Sequence, residues 1–412
     1  MADHAKAIVI GGGAVGCGVL YGLTKAGWTD VVLLERLDLT AGSTWHAAGN
    51  VTFFGHYPGI SRLYADSIRI FQEVEQQTGQ SVGFHPTGGL RLATNQGELD
   101  AYHSLVPLFT DLGIGYHVIG PDEVAALHPL LDTSAILGAA HTVGDGHVDP
   151  SGVTLAMAAG ARARGARIVQ HCPVTGLSRR TDGIWEIATG DGVMTAHAVV
   201  LAASMWSRQL AAQLGLDLPL YALEHQAVVT EPVPEIEALD FELPTVRDPH
   251  APANVRQEGS GLICGVYESA PKFWAVDGVP DDFGRELFAP DMDRIEPHLL
   301  KVMERLPAFG RTGINTVVNG PICYTPDGNP LLGPATGFPG LWLACGFCIG
   351  IATGGGGGDF LARWMVDGEA PYPVEGIDPG RFGPAMARDQ ALAAIHDTYT
   401  AGYALHLPDG PC

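Results

Sequence analysis

Short apolar runs alternate with longer stretches of helical period along the first half of the chain. Ala7 to Ile10 is apolar throughout and short, the pattern of a buried strand. The next segment sets Val15, Val19, Leu20 and Leu23 on one helical face and stops at Gly27, and Val31 to Leu34 is a second buried strand that ends in Glu35. Pro58 to Thr78 spaces Leu63, Ile68, Phe71 and Val74 for one buried helix face. A strand is expected over Gly88 to Ala93, a helix over Asn95 to Gly113 with Glu98 in its first turn, and another opening at Pro121 with Asp122 as its cap. Ser151 to Arg164 reads as a helix stopped by Gly165, and Ala166 to Gln170 as a strand. Val174 falls in a short strand pair with Trp185 to Ala188 around the turn Asp182-Gly183, and Ala198 to Ala203 is one more buried strand.

The pattern changes at Leu218. Leu220 to Thr230, Leu243 to Arg247, Asn254 to Gln257 and Gly261 to Val266 are short β-rich stretches separated by glycine and proline turns, as in an antiparallel meander. Met292 to Leu306 is helical. Leu341 to Ala344 is a strand that runs through Gly346 to Ile351 into a helix reaching Val366. Gly354 to Gly358 lie inside that helix, where each glycine costs up to ~1 kcal/mol against alanine. Close packing on a strand or a cofactor is the expected reason, with a loose loop as the alternative.

The first strand, helix and second strand carry a specific chemistry. Gly11, Gly13 and Gly16 form G-x-G-x-x-G between strand and helix, and Glu35 lies about 20 residues further on, the spacing of a dinucleotide-binding unit. Gly11 permits the tight turn, Gly13 lets backbone approach a pyrophosphate, and Gly16 lets helix and strand pack closely. The first helical N–H groups, from Ala14 and Val15 onward, then face the phosphate. Glu35, followed by Arg36, would accept ribose hydroxyls, which disfavours NADP.

Composition narrows the picture. The chain has 412 residues, more than one typical core, with 46% hydrophobic and 17% charged residues and 55 glycines. It is globular, in at least two domains. A net charge of −22 argues against nucleic acid or anionic membrane as a partner. The seven cysteines lack framework spacing and are expected to be reduced. Cys345-Gly-Phe-Cys348 has no further zinc ligands evident nearby, so no metal site is expected. Met1 to Lys6 is short and polar and no apolar run is long enough to span a bilayer, so a cytoplasmic bacterial enzyme without a membrane segment is the simplest expectation.

The run Ala41-Gly42-Ser43-Thr44-Trp45-His46-Ala47-Ala48-Gly49-Asn50 follows the ribose acid at once. It resembles the dimethylglycine dehydrogenase and sarcosine dehydrogenase family of flavoproteins, which carries a nearly identical G-S-T-W-H-A-A-G. The match extends from Ala7 to about Val374. The resemblance implies an α/β fold, a Rossmann-type FAD-binding domain interleaved with an antiparallel-sheet (α+β) substrate domain. The former would take 1–90, 141–217 and 321–375, the latter 91–140 and 218–320, with 376–412 a C-terminal extension. It implies FAD bonded covalently through its 8α-methyl to His46. Further cofactor contacts would come from Gly42, Ser43, Thr44, Ala47, Ala48, Gly49 and Asn50, from Val174 through its backbone at the adenine end, and from Trp206. Ser204 stands where relatives have glycine, which would strain a left-handed backbone. Gly346, Phe347, Cys348, Ile349, Gly350 and Ile351 would bring a helix N-terminus to the flavin N1–C2=O edge, where its partial positive charge favours an anionic reduced ring.

The implied reaction is oxidation of an N-methyl amine such as dimethylglycine or sarcosine. A hydride leaves the N-methyl carbon for flavin N5, and the iminium is hydrolysed to formaldehyde. Oxygen or an electron-transfer flavoprotein would take the electrons. His225 in Leu223-Glu224-His225-Gln226 and Tyr267 in Gly265-Val266-Tyr267-Glu268 match the family's histidine and tyrosine beside the flavin. The histidine is expected to take the amine proton near neutral pH. Arg256 is the candidate partner of a substrate carboxylate, and Asp327 in Pro321 to Pro334 is expected to hold a turn over the flavin. Relatives continue into a folate-binding domain, whereas Arg381 to Leu407 reads as a helical lead-in before the sequence stops at Cys412. Formaldehyde would then be released or passed to a separate folate-binding chain. The alternative is a flavin-bearing subunit, or a degenerate flavoprotein without turnover, that acts with a partner chain.

Overall fold

The structure is a computed structural model that describes residues 4–55, 57–383 and 386–402. Two large sheets organise it. The first has eight strands in the order Leu331–Pro334, Leu341–Cys345, Gly192–Leu201, His4–Ile10, Val31–Leu34, Arg167–Val169, with the hairpin Val174–Arg179 and Trp185–Thr189 pairing the long strand Gly192–Leu201. From Leu341–Cys345 to Arg167–Val169 every pair is parallel. The central strands are buried on both sides, which is why Ala7 to Ile10 and Val31 to Leu34 read as unbroken apolar runs.

The helices Ala14–Lys25, Pro58–Thr78, Pro150–Ala163 and Gly350–Asp367 cover one face of that sheet and share its core. Four of the five glycines, Gly354, Gly355, Gly356 and Gly358, face the neighbouring helices, and Gly357 faces Phe347 and the strand residue Leu332, so close packing and not a loose loop accounts for the run. A Cβ on Gly356 would stand 2.0 Å from the Leu63 carbonyl oxygen, and one on Gly358 would stand 2.3 Å from the Gly18 carbonyl carbon. Gly18 faces Gly354 in the same way, at 2.1 Å from its oxygen. Three helices therefore meet backbone to backbone.

The second sheet has nine strands in the order Phe273–Trp274, Tyr221–Thr230, Gly261–Val266, Ala253–Glu258, Thr245–Asp248, Gly89–Ala93, Gly138–Thr142, Tyr116–Ile119, with Ile314–Tyr324 pairing Tyr221–Thr230. It is antiparallel apart from Thr245–Asp248 against Gly89–Ala93, a parallel pair that local patterning could not show. It takes in Gly89–Ala93, Gly138–Thr142 and Ile314–Tyr324 whole, so divisions at 90, 140 and 320 fall inside strands. Helix Met292–Arg305 covers its outer face through Ile295, Leu299 and Val302. The inner face looks toward the carboxyl ends of the parallel strands.

Local expectations are corrected at two points. The segment 95–113 is two helices, Gln96–Ser104 and Val106–Asp111, parted at Leu105 ahead of Pro107, whose ring cannot continue the ladder. The helix Pro121–Leu127 is capped by Gly120, whose N–H donates to Glu123 Oε2, rather than by Asp122. Ser204 does adopt the left-handed backbone, φ +48°, at the start of the turn Ser204–Trp206. No described helix is long and apolar enough to cross a membrane.

Candidate functional site

One cavity of about 1220 Å³ lies between the sheets. Pockets for small ligands run to roughly 300–1,000 Å³, so this one has room for a dinucleotide and a small substrate together. Every residue that the sequence assigns to the cofactor lines it except Gly16. Gly16 sits beneath the turn, where a Cβ would stand 1.9 Å from the Gly11 oxygen, so its part is packing.

The glycine turn is set from both ends. Gly12 N–H donates to Glu35 Oε2 at 2.6 Å and Leu37 N–H to Oε1 at 2.8 Å. Burial raises the Glu35 carboxyl above its ordinary value, and those two N–H groups oppose the rise. Gly12, the middle residue of the motif, was not expected to take part; only its place between the two motif glycines marks it. Thr44 Oγ1 accepts from Ala14 N–H at 3.2 Å, and Ser43 Oγ donates to the Pro321 carbonyl at 2.8 Å, so the loop carrying His46 is tied to the first helix and to the second sheet.

His46 is held against Gly320, where a Cβ would come within 2.5 Å of its Cε1. Its Nε2 is buried and has no hydrogen-bond partner among the described residues. Burial pushes the imidazole down to about 4, so it is neutral with a lone pair to offer. Gly320 is also the cross-strand partner of His225.

His225 and Tyr267 line the cavity with ring centroids 5.1 Å apart. Tyr399, on the helix Arg388–Ala401, completes the group: its hydroxyl lies 2.8 Å from His225 Nδ1 and 3.3 Å from the Val266 carbonyl. The sequence offers no sign of Tyr399, which comes from a helix 174 residues away. Burial, then the neighbouring His46, push His225 down to about 4. This corrects the expectation of a base that titrates near neutrality: above about pH 5 His225 is a neutral hydrogen-bond partner.

Arg256 does not line the cavity. Its Nε donates to the Ala48 carbonyl at 2.9 Å, and Nη1 reaches the Gln257 carbonyl and Glu258 Oε2, so the guanidinium braces the flavin-loop backbone. Besides Arg36 at the cofactor end, the arginines lining the cavity are Arg91 and Arg247. They are register partners in the parallel pair of strands, and the buried Asp145 lies 3.5 Å from Arg247 Nη1. The Arg91 guanidinium also lies over the Phe54 ring, 4.0 Å from its centroid. A single arginine inside each buried strand was the available signal; their pairing depends on a register that sequence does not give. Asp327 holds its turn as expected, through Asn329 N–H at 3.0 Å and a two-point ion pair with Arg381 at 2.8 Å.

A dinucleotide cradle at the ends of parallel strands, capped by a separate sheet, has a match among known proteins. The family model described as FAD dependent oxidoreductase covers residues 6–364. The chain belongs to the FAD dependent oxidoreductase family. It is 43% identical over 404 residues to mitochondrial dimethylglycine dehydrogenase of Mus musculus, across 96% of this chain and 46% of that protein. It is 36% identical over 417 residues to mitochondrial sarcosine dehydrogenase of Homo sapiens, across 98% and 44%. The chain thus spans about half the length of the curated relatives it matches. L-proline dehydrogenase from P. horikoshii superposes with a TM-score of 0.82 at 25% identity, covering 93% of this chain and 98% of that one.

The cavity of this family member fits FAD on its own geometry. The Gly11–Gly13 turn presents backbone to the cavity, and it packs closely on the neighbouring strand end, where a Cβ on Gly11 would stand 2.4 Å from the Ala202 oxygen. Trp206 Nε1 is buried without a partner among the described residues, as is His46 Nε2. Helix Gly350–Asp367 starts at the cavity wall, with Gly350 and Ile351 lining it. Cys345 and Cys348 are free thiols; burial raises both to about 12, which leaves them unreactive.

Proposed function

We propose that this chain is the flavin-carrying part of an oxidoreductase that demethylates a small N-methylated amino acid such as dimethylglycine or sarcosine, with FAD bonded to His46. The observation that carries this reading is the pairing of Arg91 and Arg247 in the cavity that His225 and Tyr267 also line. An amino acid presents a carboxylate and an amine, and the wall offers two guanidiniums for the first and a neutral imidazole for the second.

The chemistry that FAD supplies when bound is removal of a hydride from the N-methyl carbon. Arg91 and Arg247 hold the carboxylate by charge-assisted hydrogen bonds. His225 accepts from the N–H of a secondary amine such as sarcosine, whereas a neutral tertiary amine such as dimethylglycine has no N–H and lies against the ring; Tyr399 fixes the ring through Nδ1. The substrate binds as the neutral amine, because a cation would meet the arginines and an imidazole that resists protonation. Water then releases formaldehyde from the iminium. An electron-transfer protein or oxygen takes the electrons.

Anaerobic mixing with dimethylglycine or sarcosine is expected to bleach the flavin. A matched amine that lacks the carboxylate should bleach it about 10- to 100-fold less efficiently, the worth of one charged hydrogen bond. A flavin that stays yellow with every N-methylated amino acid overturns the reading in favour of a subunit without turnover.

His225→Gln is expected to slow bleaching by about tenfold or more while leaving its pH profile above about pH 5 unchanged. The sign follows from the depressed imidazole, which is already neutral there, so the rise of rate with pH belongs to the substrate amine. Stopped-flow reduction between pH 6 and 9 checks this. A midpoint that moves with the substitution would show that His225 does titrate in the working range.

A further inference from the structure

Away from the cavity, three ligating side chains meet that lie far apart in sequence. His85 and His147 face each other across an isolated antiparallel bridge, with His85 N–H donating to the His147 carbonyl at 2.9 Å and the reverse bond at 3.1 Å. Their rings stack at 4.6 Å with an interplanar angle of 11°. Glu242, ahead of the strand Thr245–Asp248, places Oε2 2.8 Å from His85 Nδ1 and Oε1 2.7 Å from His147 Nε2. One donor atom from each residue lies within 4.8 Å of the other two.

We propose that His85 Nδ1, His147 Nε2 and a Glu242 oxygen form a binding site for a divalent transition-metal ion, with Zn²⁺ as the reference. Two imidazoles and one carboxylate suit a first-row ion of borderline softness and not Mg²⁺ or Ca²⁺, which ask for oxygen throughout. The bridge fixes the backbone of both histidines, so the pair is spaced before any ion arrives. The His147 side chain is 12% exposed and the His85 side chain 51% exposed, which gives an anchored ligand and an open approach. The remaining coordination positions face solvent and take water. Each imidazole would bind the ion as the neutral tautomer with its proton on the far ring nitrogen, so the ion takes the place of the hydrogen bonds to the carboxylate.

The site has a place in the architecture. His147 pairs with Asn50 in the ribbon Asn50–Val51 and Gly146–His147. Asn50 lines the cavity and donates to Asn254 Oδ1 at 2.8 Å. An ion at the three ligands ties the ribbon to the segment before Thr245–Asp248, which carries Arg247. It acts as a clamp on the chamber wall from outside and takes no part in the redox step.

Calorimetric titration of chelator-treated holo-protein with ZnCl₂ tests this, wild type against Glu242→Gln and His85→Ala. One equivalent of Zn²⁺ should bind to the wild type, with affinity about tenfold or more lower in each variant. Zn²⁺ should raise the melting temperature of the wild type and of neither variant. Uptake of equal affinity in all three proteins, or no saturable uptake by the wild type, overturns the proposal. Flavin content reports that each variant has folded, and His85→Ala, at a half-exposed position, decides the matter if Glu242→Gln does not fold.

Discussion

Replacing His46 with alanine is expected to turn the acid-precipitated protein from yellow to white, with the flavin left in the supernatant. The loop that carries His46 is fixed at Ser43 and Thr44, its ring is backed by Gly320, and burial keeps the imidazole neutral. What remains is a neutral ring whose Nε2 no described residue engages. A buried polar atom without a partner costs roughly 1–3 kcal/mol, and a covalent bond to the cofactor removes that cost. The alanine variant should still take up FAD, since the glycine turn and Glu35 are untouched, but release it on denaturation. Gly320→Ala should lower the tethered fraction in an otherwise complete site, because its Cβ would displace the ring. A pellet that stays yellow in His46→Ala would place the bond on another residue.

Gly356→Ala is expected to destabilise the protein by about 3 kcal/mol or more, the upper end of what overpacking costs. Two effects of opposite sign meet at this position. Alanine in a helix gains about 1 kcal/mol over glycine. Against that, its Cβ would stand 2.0 Å from the Leu63 carbonyl oxygen and 2.8 Å from the Ser67 nitrogen, both backbone atoms of a packed helix. Neither can move without shifting Pro58–Thr78 off the core, so the clash wins. Gly357, one residue on, is the control: its nearest neighbours are ring atoms of Phe347 at 3.3 and 3.6 Å, which can rotate aside. Gly357→Ala should lie within about 1 kcal/mol of wild type. Urea unfolding of the holo-proteins separates the two, and equal midpoints would show that the helices do not need this approach distance.

Much of the cofactor half was legible because its signals are local. A glycine turn, an acid at the end of the next strand and an eight-residue loop each act within their own neighbourhood. The strained Ser204 could be anticipated in the same way, from one residue type at one kind of turn. The substrate half was less legible because its chemistry depends on pairing. Arg91 and Arg247 become one site only through a parallel register between strands about 150 residues apart. Arg256 was the carboxylate partner that the sequence suggested, until the fold turned it onto the Ala48 carbonyl. Tyr399 reaches His225 from the far end of the chain, and the three residues of the candidate metal site span 157 positions. The depressed His225 imidazole belongs to the same class, since burial is a property of the whole chamber and no motif encodes it.

The paired arginines carry a practical corollary for anyone handling the protein. In a molecule of net charge −22, this wall sets two guanidiniums on neighbouring strands. Acetate, formate or citrate in a buffer would lodge there as bystanders and crowd out the substrate. Slow turnover in such a medium would reflect the choice of salt and not the competence of the enzyme.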